Sequence, residues 1–133
     1  MKPTMTHCAV VLAAGFILAG YGIRAVGADS STAGSVQEAK KHFSFAVQNK
    51  NNGNHEEALR QYSRSLSFCD TLYQVHYSYA DLLDKLDMAD DALVHFRKAF
   101  DLNPEYYNSA LMLSKLYHAK GLHDSVLVMY ERM

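Results

Sequence analysis

A spacing of 34 residues recurs through most of this chain and constrains its fold more than any other feature. Small side chains follow this spacing, and so do large ones four residues later: Ala58, Ala92 and Val126, then Tyr62, Phe96 and Tyr130. A second small position repeats in the same way at Ala46, Ala80 and Ser114. A fixed period of this length indicates one supersecondary unit stacked on copies of itself. The units of such an array contact mainly their neighbours.

Capping and turn residues divide the region after residue 35 into six predicted helices. Three helix starts carry a polar residue followed three positions later by an acidic one: Ser35 with Glu38, Asn54 with Glu57, and Asp87 with Asp90. Pro104 suits the first turn of the fifth helix, and Gly121 ends that helix. The predicted helices lie at about 35–50, 54–70, 71–86, 87–102, 104–121 and 121–133. Short turns between them predict an all-α fold of antiparallel helical pairs.

The first 28 residues differ in composition from the rest of the chain. Residues 8–23 are almost wholly apolar and follow a positive start at Lys2, as in a secretory signal or an uncleaved membrane anchor. Small residues at 26–28 suit cleavage, which leaves the signal open as an alternative. We favour the anchor, because small residues on one helical face allow close packing in a membrane: Cys8, Gly15, Ala19 and Gly22. Residues 29–35 are small and polar, which predicts a linker.

The charge balance argues against a nucleic-acid partner. From Asp29 onward the chain has 11 Lys and Arg residues and 14 Asp and Glu residues, a net charge of about −3. Proteins that bind nucleic acid need a basic face to neutralise phosphates. The charges alternate in sign along the predicted helices, as on a solvated surface.

The repeat positions resemble those of the tetratricopeptide repeat family over residues 39–133, with repeats at about 39–72, 73–106 and 107–133. The resemblance rests on the small and aromatic positions above, on large residues before the first small position (Phe45, Tyr79, Leu113), and on a turn position (Gly53, Asp87, Gly121). It implies a superhelix of about three helical hairpins, here preceded by the N-terminal hydrophobic helix. The chain departs from the family at His42 and His76, where Trp is common, at Asn49, where an aromatic residue is usual, and at bulky Val126. Asn49 and Val126 predict looser packing in the first and last repeats.

The resemblance also implies that the first helix of each pair lines a concave binding face. The candidate residues on that face are Lys40, Phe43, Val47, Tyr77, Asp81, Leu111 and Lys115. Phe43 and Val47 stand where chaperone-tail-binding members carry Lys and Asn, so we expect no carboxylate clamp. Phe43, Tyr77 and Leu111 favour an apolar or helical partner segment. The alternative is that these three side chains pack partly against neighbouring helices.

The last predicted helix is the second candidate surface. No helix follows Met133 in this sequence, so we expect apolar residues there to be uncovered: Val126, Leu127, Tyr130 and Met133. An exposed apolar area of this kind often marks an interaction site. A partner protein or a second copy of the chain would cover it. The alternative is that Tyr130 folds back onto the fifth helix.

No catalytic, metal or cofactor site is predicted. The histidines lack ligand spacing with a carboxylate or Cys, Cys69 has no His close in sequence, and no Gly-rich phosphate loop occurs. With the resemblance, this predicts a non-catalytic, membrane-tethered adaptor or accessory subunit of a larger membrane complex, holding another protein. We expect it at a bacterial inner membrane, with the repeats on the periplasmic side. The alternative is a cleaved periplasmic or secreted binding protein that self-associates.

Overall fold

The computed structural model describes residues 30–133, which form six α-helices and no strand. The helices are α1 (Ser30–Asn51), α2 (His55–Phe68), α3 (Tyr73–Lys85), α4 (Ala89–Leu102), α5 (Tyr107–Ala119) and α6 (His123–Tyr130). They pair as three consecutive hairpins, α1 with α2, α3 with α4 and α5 with α6. The all-α prediction is confirmed for these residues. The predicted N-terminal hydrophobic helix, with Cys8, Gly15, Ala19 and Gly22, lies outside the described residues.

The turn inside each hairpin uses the same backbone device. Gly53, Asp87 and Gly121 follow the first helix of their hairpins with φ values of 78°, 61° and 70°. In each turn the next residue donates its N–H to a carbonyl five positions back, over 2.9 Å in two turns and 2.8 Å in the third. This pattern is the Schellman motif, which needs a left-handed residue to satisfy the last carbonyls of a helix. The turn position predicted from the repeat is therefore a conformational requirement.

Helix starts differ from the predictions more than helix ends do. α1 begins at Ser30, so residues 30–35 are helical and do not form the predicted linker. Ser35 does not cap the helix, because its hydroxyl donates to the Thr32 carbonyl at 2.8 Å inside it. A serine hydroxyl can satisfy itself on a carbonyl of the preceding turn, which makes it compatible with a helix interior.

The other predicted caps also fail as side-chain contacts. Asn54 precedes α2 as predicted, but its side chain makes no capping hydrogen bond. Asp87 is the left-handed turn residue, so Met88 takes the position before α4. Pro104 lies in the turn before α5, which begins only at Tyr107.

The core follows the repeat along the hairpins. Ala58 and Ala92 are fully buried at the start of α2 and α4, where a small side chain lets two helices approach closely. Val126 holds the equivalent position on α6 and is only half-buried. Met129 is the one buried residue of α6, whereas α4 buries four residues. The last hairpin is therefore the least tightly packed of the three.

Candidate functional site

The face formed by α1, α3 and α5, called here the first-helix face, carries an ionic link between the first two hairpins. Lys50 Nζ lies 3.3 Å from Asp81 Oδ2, and Lys85 Nζ lies 3.0 Å from the same oxygen. One half-buried carboxylate thus serves two ammonium groups and leaves a net positive charge at this point. Asp81, predicted as a binding residue, joins hairpins in the structure.

A cavity of about 280 Å³ opens where α1 meets α3. Its lining is mostly apolar and consists of Lys40, Phe43, Leu72, Gln74 and Val75. Lys40 and Phe43 are two of the predicted binding residues. Phe43 closes one side and packs on the Tyr62 ring with centroids 6.1 Å apart. Lys40 is exposed at the rim. A space of this size accepts a side chain of a partner rather than a whole drug-sized ligand.

Two of the predicted residues on α1 also contribute to the packing of the core. Phe43 and Val47 are half-buried and pack against the core cluster around Ala46, Tyr62 and Val75. The alternative that these side chains pack against neighbouring helices therefore describes part of their surface. The rest remains accessible on the first-helix face.

An aromatic wall continues the face beyond the cavity. The Tyr77 ring lies 5.5 Å from Phe96 and 5.2 Å from Tyr106, the latter edge-on. Tyr106 also contacts Tyr73 at 5.1 Å. Burial raises the pKa of Tyr77, with Tyr106 and Asp81 adding to the rise, so its hydroxyl stays a neutral hydrogen-bonding group. Aromatic residues with a polar tip suit surfaces that are partly buried by a partner.

Tyr106 is a residue that the sequence prediction missed. It precedes α5 and is half-buried between the rings of Tyr73 and Tyr77. The available signal was its repeat position, because Tyr106 stands 34 residues after Leu72, which lines the cavity. On α5 itself, Leu111 is 48% exposed and Lys115 is exposed, and they extend the first-helix face without contributing to the cavity.

The second predicted surface, on α6, divides into buried and exposed residues. Leu127 is 65% exposed and Tyr130 is 55% exposed, and Met133 after the helix is also exposed. Val126, by contrast, packs against the core cluster around Phe96 and Leu113. More than half of the Tyr130 side chain is exposed, so most of its surface does not pack on α5. Among the predicted residues, Leu127, Tyr130 and Met133 form the uncovered surface.

A groove of about 330 Å³ between α4, α5 and α6 was not predicted. Its apolar lining includes Leu93, Phe100 and Val128, and Arg97 and Arg132 lie at its edge. The Arg132 guanidinium pairs with Asp101 at 2.8 Å and lies 5.4 Å from the centre of the Phe100 ring. No single sequence pattern marks this groove, because three helices combine to form it.

Within residues 30–133, no group of three or more His, Cys, Asp and Glu side chains could hold a metal ion. Cys69 is buried, and its Sγ lies 3.3 Å from the Thr71 hydroxyl. None of the helices α1 to α6 has both the length and the apolar surface to cross a bilayer.

Comparisons with known proteins give structural relatives only. No protein-family model matches the sequence, and no curated protein matches it. Two solved structures, "Crystal structure of MamA" and "Crystal structure of MamA protein", match with TM-scores of 0.64 and 0.63 at 15% identity. Each match covers 73% of this chain, but only 56% and 52% of the solved chains, so this chain spans just over half their length. MamA contains tetratricopeptide repeats, and the described residues share its superhelical fold.

Proposed function

We propose that this chain is a non-catalytic protein-interaction module whose first-helix face holds an apolar segment of another protein. The observation that carries the proposal is the apolar cavity between α1 and α3, which opens beside the aromatic wall of Tyr77 and Tyr106. The fold shared with MamA supports it, because helical arrays of this kind build extended binding surfaces.

The chemistry of the cavity specifies the segment that would fit. Its apolar lining, with Phe43 and Val75, accepts one aliphatic or aromatic side chain. The exposed Lys40 ammonium at the rim favours a carboxylate close to that side chain. Tyr77 and Leu111 then provide apolar contacts along the same face. The expected partner segment is therefore amphipathic, with an acidic residue beside an apolar anchor.

The location of the module is proposed from the sequence alone. The apolar residues 8–23 support a membrane-tethered adaptor or accessory subunit, with the repeats on the periplasmic side of a bacterial inner membrane. A cleaved periplasmic or secreted form is the alternative. The intact mass of the protein isolated from membranes separates the two: a mature start at Asp29 would exclude the tether.

Photocrosslinking from chosen positions tests the binding face. A crosslinking residue at exposed Gln74, beside the cavity, is compared with one at exposed Lys98 on α4. We expect a discrete crosslinked partner from position 74 and none from position 98. Equal crosslinking from both positions, or none from either, would contradict the proposal.

A charge reversal with a neighbouring control tests the role of Lys40. Lys40→Glu at the rim should weaken binding of the crosslinked partner by roughly tenfold or more, since it replaces an attraction by a repulsion. Lys41→Glu makes the same charge change one residue away, where Lys41 forms only an exposed pair with Glu38 at 3.5 Å. Loss of binding in both variants would point to general electrostatics rather than to this cavity.

Exposed Leu127 and Tyr130 on α6 favour a second candidate function, self-association. The two candidates use different surfaces, so one chain can serve both.

A further inference from the structure

A direct contact between two histidines joins the helices of the second hairpin. His76 Nδ1 on α3 lies 3.0 Å from His95 Nδ1 on α4, and the two rings stack with centroids 5.2 Å apart. His76 is only 5% exposed. Its other nitrogen, Nε2, lies 2.8 Å from the Asp70 carbonyl oxygen in the turn before α3. Both ring nitrogens of His76 are therefore engaged.

These contacts determine where the protons lie. A carbonyl oxygen can only accept, so Nε2 of His76 carries a proton and donates it to Asp70. In the neutral ring, Nδ1 of His76 then has no proton and must accept from Nδ1–H of His95. The link between α3 and α4 thus needs one proton between the two Nδ1 atoms, and it requires that at least one of the two rings is neutral.

The first hairpin contains the same link without this requirement. His42 Nδ1 lies 2.7 Å from Gln61 Oε1, and both residues stand 34 positions before His76 and His95. The glutamine amide contains both a donor and an acceptor, so it can bond His42 in either protonation state. The third hairpin has Ala110 and Met129 at these positions and no polar link.

The groups around the two histidines shift their pKa values in opposite directions. The pKa of His76 is lowered to about 4, mainly by burial and also by His95 and Lys98 of α4, whereas the Asp70 carbonyl and carboxylate act to raise it. Burial also lowers the pKa of His95, against the attraction of Asp91. The Tyr79 ring, 4.5 Å from His95, covers the pair and carries no charge near neutral pH.

We propose that the His76–His95 contact is a proton-sensitive link, which breaks when both Nδ1 atoms carry a proton and then loosens the α3–α4 hairpin. His95 is less buried than His76, and it keeps its Nδ1–H when it takes a proton at Nε2. A proton on Nδ1 of His76 then converts the acceptor into a second donor, so two N–H groups would meet at 3.0 Å. The ring contact between Tyr77 on α3 and Phe96 on α4 lies in the same hairpin. Mild acid therefore weakens the hairpin that supports the aromatic wall.

The sign of the pH dependence follows from linkage. The unfolded chain binds a proton at an ordinary His76, whereas the folded chain resists it, so stability rises with pH between the two pKa values. The contribution of His76 is complete above about pH 6.5 and is lost as the pH falls toward 4.

Thermal unfolding of the full chain at pH 7.5 and pH 5.0 tests the link, with His95→Gln as the matched variant. This substitution gives the second hairpin the chemistry of the first. We expect the melting temperature of the unmodified chain to fall by roughly 5 to 10 °C more than that of His95→Gln over this pH interval. Gln61→His makes the reverse change and should increase the pH sensitivity. An equal fall in all three proteins would overturn the proposal.

Nuclear magnetic resonance of the histidine ring nitrogens tests the same claim without any substitution. In the unmodified full chain, His76 should titrate below about pH 5.5 and show an unprotonated Nδ1 at neutral pH. Titration of His76 near its ordinary pKa, or a protonated Nδ1 at pH 7.5, would overturn the proposal even if His95→Gln fails to fold.

Discussion

The same residue position has different surroundings in successive hairpins. Tyr62 is fully buried because α3 covers it, with the Tyr79 ring 5.6 Å away. Phe96 is fully buried in the same position, in the core cluster that includes Leu113 of α5. Tyr130 repeats the position on α6, where no described helix covers it. A residue in this array therefore depends for its burial on the next hairpin.

The first prediction compares two of these aromatic residues. Phe96→Ala should lower the free energy of unfolding by about 3 to 5 kcal/mol, because it empties a fully buried site. Tyr130→Ala should change it by less than about 0.5 kcal/mol, since most of that side chain already faces solvent. Urea denaturation measures both. Similar losses for the two variants would mean that Tyr130 is covered in solution.

A second prediction concerns a buried hydroxyl between the first two helices. Ser65 Oγ donates to the Ala39 carbonyl oxygen at 2.6 Å, and both residues are fully buried. Ser65→Ala should cost about 1 kcal/mol of unfolding free energy, the usual net value of one hydrogen bond. Ser67→Ala is the control, because Ser67 makes an exposed bond to the Arg64 carbonyl. A cost at Ser67 as large as that at Ser65 would contradict this account.

At the scale of secondary-structure elements, the left-handed turns can be tested one by one. Gly53→Ala and Gly121→Ala should each lower stability by about 1 kcal/mol, because an alanine resists positive φ. An added Cβ would meet no atom within 4 Å at either glycine, so the effect is conformational only. Asp87→Gly should instead raise the free energy of unfolding, by up to about 1 kcal/mol, because glycine adopts positive φ more easily than aspartate does. Denaturant unfolding measures the change in stability of all three variants. A Gly121→Ala variant as stable as the unmodified chain would contradict a conformational role for this glycine.

The packing of α6 leads to a prediction about local opening. α6 is eight residues long and buries Met129 alone, whereas α3 buries five residues. Elements with little buried apolar surface open at a small fraction of the global free energy. Backbone amides of α6 should therefore exchange with deuterium well before those of α3 and α4 under native conditions. Equal protection of α6 and α3 would show that something else covers α6.

The sequence predicts the existence and pairing of the helices better than the residues at which they begin. The 34-residue spacing predicts the hairpins and the turn positions, because both depend on residues that repeat with it, such as Ala92 and Gly121. The starts could not be read in the same way. Ser35 has the right residue type for a cap, but a hydroxyl can bond within a helix as well as at its end.

The candidate site was predictable only in part, for a related reason. Lys40 and Phe43 follow from the repeat positions and do line the cavity. Tyr106 and the groove around Phe100 depend on how several helices meet, which no spacing within one helix reveals.

At the scale of the whole molecule, the two outer helices of the described stack differ in character. Apart from Asp81, which pairs with Lys50, the residues on α3 and directly beside it that pack toward the core of the first hairpin are apolar: Leu72, Val75, Tyr79, Leu82 and Leu86. The residues 34 positions earlier, on α1 and directly after it, are mostly polar: Glu38, Lys41, Phe45, Gln48 and Asn52. The α1 surface thus resembles a solvated cap, whereas α6 exposes Leu127 and Tyr130. Head-to-tail stacking of copies would place a polar surface against an apolar one, so we expect any self-association to join α6 to α6.

This difference predicts which substitutions affect association. The double variant Leu127→Lys with Tyr130→Glu should remove any dimer of the full chain seen by analytical ultracentrifugation, because it places charges in the apolar contact. Phe45→Lys changes an exposed aromatic residue on α1 and should leave the dimer unaffected. A chain that stays monomeric at all concentrations, or a dimer that Phe45→Lys disrupts, would contradict association through α6.

The seam between consecutive hairpins, where α2 packs on α3 and α4 packs on α5, has a consequence for the length of such a protein. Ala58 and Tyr62 on α2 present to α3 the same kind of surface that Ala92 and Phe96 on α4 present to α5. A duplicate of residues 73–106 inserted after residue 106 would therefore find a compatible neighbour on either side. Copy number in this architecture is open to evolution and to engineering, because unequal recombination by one period keeps the contacts at every existing seam.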